Sequence, residues 1–144
     1  MEKLTVERRI WIDAPRERVW QAITTAEEIR QWWGGDDHWE FSALEIGGVI
    51  KFGDPADLMI ATIAVLDPPH EFRIEWPPQE QYHSIPIYTT YVLIEENGGT
   101  RVTVSETGFE ALPDDVRQKR FDSTAQGYET VLAGLKTFIE EDGS

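Results

Sequence analysis

The stretch QWWGGDDHWEF, residues 31–41, sets Trp32, Trp33 and Trp39 around Asp36, Asp37 and His38. Aspartate and histidine are metal-ligand types, but these three are consecutive on a loop. A metal site needs ligands converging from separate elements at a recognisable spacing. His70 and His83 fall at turn and loop positions without such spacing. The acidic loop therefore reads as solvated, and no metal ligand is assigned. The tryptophans carry more information. Neighbours on a helix point about 100° apart, so Trp32 and Trp33 divide between the core and a cavity wall or rim. Trp39 and Phe41 alternate on the next strand and share a face. Aromatic residues placed this way either fill a core or wall a pocket for an apolar ligand.

Further along, Phe72, Ile74 and Trp76 share one strand face, with Glu71, Arg73 and Glu75 on the other. Val102, Val104 and Glu106 likewise follow one another on a single face. The cost of burying an ionised group favours a Glu106 that meets solvent where that face runs out. The other reading has Glu106 turned inward, fixing a ligand's polar group or acting as a general base if desolvation raises its pKa. Tyr88 and Tyr91 are three apart on a strand, so only one can point inward. No serine sits in a GxSxG context, and neither a P-loop nor a GxGxxG occurs. Nothing in the sequence names a reaction, and no cofactor is expected. The candidate ligand-binding residues are Trp32, Trp33, Phe41, Phe72, Trp76, Tyr91, Glu106 and Tyr128.

The elements that must position these residues follow from periodicity. Leu4, Val6, Ile10 and Ile12 alternate as a strand, with Arg8 interrupting the apolar face and Trp11 the polar one. Pro15 suits the first position of a helix, and Val19, Trp20 and Ile23 give that helix an apolar side. Thr25 is placed to cap a second helix carrying Ile29, Trp32 and Trp33, which Gly34-Gly35 ends. Six strands then follow as HWEFSAL, GVIKFGD, LMIATIAVLD, HEFRIEW, IYTTYVLIEE and TRVTVSETGF, separated by Gly, Pro and Asn turn formers. Their short links imply antiparallel neighbours, the longer PPQEQYHSIP connection excepted. Finally Phe121, Ala125, Tyr128, Leu132, Leu135 and Ile139 form a helical stripe that Val131 and Phe138 widen. Gly127 and Gly134 interrupt that helix, either as tolerated weak points or as places of close approach or ligand space.

Strands and helices do not alternate, so the class is α+β: a curved antiparallel sheet of about seven strands around a long C-terminal helix. The 144 residues suit one domain, 1–144, with a core of its own. Cysteine is absent, which removes disulfides, thiolate catalysis and cysteine-bound metals. The net charge of −14 disfavours nucleic acid and anionic membrane as partners, since only ERRIW and VRQKRF cluster basic groups. No secretory signal or membrane span is read, and a cytoplasmic location is expected.

The blocks IDAPRERVWQAITTAEEIRQWW, IGGVIKF, VLDPPHEFRIEW, NGGTRVTVSETGF and GYETVLAGLKTFIEE occur in that order. In this order they resemble the activator of ninety-kilodalton heat-shock protein ATPase homologue family, of the START-like, birch-pollen-allergen-like superfamily. The resemblance implies a helix-grip fold with a cavity between sheet and long helix. Superfamily relatives bind lipids, sterols or polyketides, and some are cyclases or aromatases. The co-chaperone that names the family carries an additional N-terminal domain, which is expected to be absent where the first strand begins near residue 4. The preferred expectation is a cavity for a hydrophobic small molecule. The alternatives are a cyclase- or hydrolase-like enzyme using a cavity carboxylate or tyrosine, and a co-chaperone-like or homodimeric interaction module.

Overall fold

The computed structural model describes residues 5–33, 38–54, 56–76, 87–108 and 114–141. In chain order these are β1 (Thr5–Ile12), α1 (Arg16–Thr24), α2 (Ala26–Trp32), β2 (His38–Phe41), β3 (Val49–Asp54), β4 (Asp57–Asp67), β5 (Glu71–Trp76), β6 (Ile87–Glu96), β7 (Gly99–Thr107) and α3 (Asp114–Glu141). The sheet has seven strands in the order β1-β7-β6-β5-β4-β3-β2, every pair antiparallel. The class is α+β with a helix grip, as the order of periods implied. Gly34-Gly35, Asp36, Asp37, His83 and the PPQEQYHSIP connection lie outside the described residues.

Turn chemistry fixes the registers. β6 and β7 join through Asn97 (φ 51°) and Gly98 (φ 80°), the pair of positive φ values of a type I′ hairpin. That two-residue turn pairs Glu96 with Gly99 and sets the ladder down to Tyr88 against Thr107. A bulge between Ile63 and Val65 shifts the β4–β5 register. It keeps Ile63 and Leu66 opposite Ile74 and Phe72 while adding bend to the sheet.

The concave face carries alternate residues of every strand, among them Ile50, Ile63, Phe72, Ile74, Leu93, Val102 and Val104, all buried. Against it lies α3, whose Ala125, Tyr128, Leu132, Leu135 and Ile139 are buried. Each fully buried aliphatic side chain there contributes about 1.5–3 kcal/mol of hydrophobic stabilisation. Arg8, on the apolar face of β1, sits at the sheet's edge and pairs with Glu129 of α3 at 3.3 Å. Trp11 donates its indole N–H to the Glu96 carbonyl at 2.7 Å, with the Lys136 ammonium 5.3 Å from its ring centre.

The α1–α2 pair closes one end of the groove. Arg18 and Glu28 join the two helices at 2.7 Å, and the Trp32 indole N–H donates to the Ala22 carbonyl at 2.9 Å. Thr25 occupies the cap position of α2 but makes no side-chain cap bond. Its carbonyl instead accepts the Ile29 N–H at 2.9 Å. β2 is shorter than the periodicity implied, ending at Phe41, because Ser42 turns there and accepts the Val49 N–H on its Oγ at 2.8 Å.

Candidate ligand-binding cavity

Strand parity brings three inward residues together at one end of the sheet. Thr89 pairs directly with Glu106 across β6 and β7, and Trp76 pairs with Ile87, two residues from Thr89. From the other side α3 lowers Tyr128. The result is a relay: Trp76 Nε1–H donates to Thr89 Oγ1 at 2.9 Å, and Thr89 Oγ1–H donates to Glu106 Oε2 at 2.9 Å. Tyr128 Oη–H donates to the same oxygen at 2.5 Å, the short distance of a charge-assisted bond.

This cluster borders a cavity of about 160 Å³ lined by Trp33, Phe52, Met59, Trp76, Ile87 and Arg120 together with Glu106 and Tyr128. A second lobe of about 180 Å³ shares Trp33, Glu106 and Tyr128 and runs along α3 past Thr124, Gly127 and Val131. Trp33, Phe52 and Trp76 meet edge to face, with the Phe52 centroid 5.6 Å from each of the other two. Arg30 of α2 donates to the Trp39 carbonyl at 2.7 Å, fixing the segment that carries Trp33 against β2.

Glu106 is half-buried, and what exposure it keeps faces the cavity lobes. Burial raises its pKa above the ordinary carboxylate value, while the Tyr128 and Thr89 hydrogen bonds and the Arg120 charge oppose the rise. Burial raises Tyr128 well above the usual phenol range, and the negative Glu106 beside it pushes the same way. Tyr91 is raised by the same two causes, burial first. The expectation of a solvated Glu106 thus holds only in part. Thr89, opposite in register, and Tyr128, from the helix, replace the water it would lose.

Of the residues singled out from the sequence, Trp33, Trp76, Glu106 and Tyr128 lie together on the cavity. Trp32 is buried in the core with its N–H on Ala22. Phe72 and Tyr91 are buried and stack at 6.4 Å, and Phe41 packs 6.4 Å from Phe72; all three belong to the core, and among the described residues they line neither of these two lobes. Phe52, Met59, Ile87, Thr89 and Arg120 were not anticipated. Phe52 had a signal in the sequence, sharing strand parity with Ile50, whereas Thr89 becomes visible only once the β6–β7 register is known.

An antiparallel sheet wrapped around one long helix, with an aromatic cavity and an inward carboxylate between them, defines a helix-grip protein. The chain belongs to the Activator of Hsp90 ATPase homolog 1-like protein family, whose model matches residues 13–140. No match was found among the curated proteins searched. Among solved structures, protein MLL2253 from Mesorhizobium loti is similar with a TM-score of 0.78 at 16% identity, covering 95% of this chain and 97% of that one. The Aha1 dimer from Colwellia psychrerythraea is similar at 0.73 and 20% identity, covering 94% and 96%. DynU16, a protein of the dynemicin biosynthetic locus, is similar at 0.73 and 18% identity, covering 96% of this chain and 48% of that one. At these identities the likeness is one of fold. Among the described residues, no helix is long and apolar enough to cross a membrane.

Proposed function

We propose that this protein binds a small, largely apolar or aromatic molecule in the cavity between the sheet and α3, and does so in the cytoplasm. The observation that carries the reading is the hydrogen-bonded Glu106 carboxylate set into an aromatic-walled cavity. Concave, mostly apolar sites with a few convergent polar groups are the usual form of small-molecule pockets. Native mass spectrometry before and after denaturation tests it, alongside tryptophan fluorescence against a panel of small aromatic compounds. A retained mass, or quenching that Trp33→Phe diminishes, supports the reading. Neither retention nor any fluorescence response across the panel overturns it.

The 2.5 Å Tyr128–Glu106 contact favours a second reading, a cyclase- or hydrolase-like enzyme. A carboxyl whose pKa is raised by burial is suited to general acid–base work. Turnover of an aromatic ester or polyketide-like substrate that Glu106→Gln abolishes would support it, and unchanged turnover in that variant would remove it. The Colwellia relative's dimer supports self-association here as well. Sedimentation at rising concentration checks this, and a monomer throughout would exclude it.

A further inference from the structure

Both hydroxyl donors that reach Glu106 use one oxygen, Oε2. Among the described residues no hydrogen bond reaches Oε1. Trp76 Nε1–H is already given to Thr89. In its ionised form Glu106 therefore offers a ligand an acceptor at Oε1. Around it, the Phe52 ring stands at 83° to Trp33 and 66° to Trp76, so the three rings form adjoining walls rather than a flat stack. Aromatic faces carry negative potential and attract cations. An anionic ligand would meet a like charge at Glu106, and a ligand without a donor would leave Oε1 without a partner, Oε2 being already held by Thr89 and Tyr128.

We propose that the cavity selects a small arylalkyl or alkyl amine in its ammonium form, with its N–H groups on Glu106 Oε1 and its charge among Trp33, Phe52 and Trp76. The proposal rests on the ligand-binding reading above and names the ligand class of that same site. The lobes of about 160 and 180 Å³ suit a compact molecule. They fall below the roughly 300–1,000 Å³ of drug-sized pockets. Arg120, an exposed residue of α3, also lines the cavity and its charge favours the Glu106 anion, so an ammonium ligand competes with it for the free carboxylate oxygen. Burial of Glu106 adds to the preference, since an arriving ammonium restores the anion that burial disfavours.

The test compares three probes of similar shape on the wild-type protein by fluorescence and calorimetry: 2-phenylethylamine, 2-phenylethanol and 3-phenylpropanoate. The expected result is an amine Kd about tenfold or more below those of the other two, as a charge-assisted hydrogen bond with cation–π contact allows. Glu106→Gln should remove most of the amine's advantage, read as a ratio of the amine and alcohol Kd values that falls to within about twofold of one in the variant. Equal binding of all three probes, or preference for the carboxylate, overturns the amine proposal and leaves the apolar-cavity reading standing. No binding of any probe at millimolar concentration overturns both. The wild-type comparison keeps its meaning even if the variant fails to fold.

Discussion

At the scale of the residue, Glu106 decides most of what the cavity can do. Its folded-state pKa lies above the ordinary carboxylate value because burial outweighs the donors from Thr89 and Tyr128 and the charge of Arg120. Between the unfolded and folded values, the native state therefore holds more protons than the unfolded one. Stability from this group is then present below the unfolded pKa and lost as pH rises through the folded one. Urea midpoints measured from pH 4 to 8 should show that decline in the wild type and a flatter profile in Glu106→Gln. Tyr128→Phe removes one donor to the anion, so the Glu106 pKa should rise further, as carboxyl carbon titration by NMR would report. The inward face was readable from Val102 and Val104, but burial of the acid was not. The compensating donors come from a partner strand and a distant helix, and neither is adjacent in sequence.

At the scale of the element, α3 was legible almost residue by residue: of its stripe, Ala125, Tyr128, Leu132, Leu135 and Ile139 are buried and Phe121 is half-buried against the core. Its two glycines looked equivalent in the sequence, and the structure separates them. A Cβ at Gly134 would lie 2.7 Å from the Trp32 carbonyl oxygen, whereas nothing lies within 4 Å of one at Gly127. Gly134 is where α2 crosses closely, and Gly127 leaves room along the cavity lobe. Gly127→Ala should stabilise the protein by up to about 1 kcal/mol through helix propensity. Gly134→Ala should instead cost about 1–3 kcal/mol, because backbone must shift to admit the methyl group. Thermal unfolding of the pair distinguishes the two roles, and equal shifts would contradict them. The helix caps were less legible: Thr25 has a favoured cap residue type but its side chain makes no cap bond.

At the scale of the whole molecule, the sheet has two edges of different character. β2 is a four-residue edge strand, whereas β1, the other edge, is held by both β7 and α3. Amide hydrogen exchange should be slowest in β6 and β7, at the interior of the ladder, and fastest in β2. Comparable protection in β2 would show that the edge is covered in solution. Turn residues made strand order along the chain readable, but the pairing of β1 with β7 joins segments about as far apart as the fold allows. No local signal carries it. A second contact across the molecule reinforces that pairing. Glu140 of α3 accepts the Asp13 N–H at 2.9 Å and the Lys136 ammonium at 2.6 Å, and these hydrogen bonds hold its carboxyl below the ordinary value. Stability from this group is thus present above the unfolded pKa and lost as pH falls through the folded one. Glu140→Gln should narrow the stable range on the acid side, read as an earlier acid midpoint.

The same clasp bears on how the chain reaches its native state. The Asp13–Glu140 contact spans 127 positions, so during synthesis it can close only after β2 to β7 have been made. A topology of that kind has high contact order and folds slowly compared with a helical bundle. During synthesis, β1 waits for β7 and then for α3 to emerge. Until then the sheet's inner face, aromatic residues included, is open to chaperones or to aggregation.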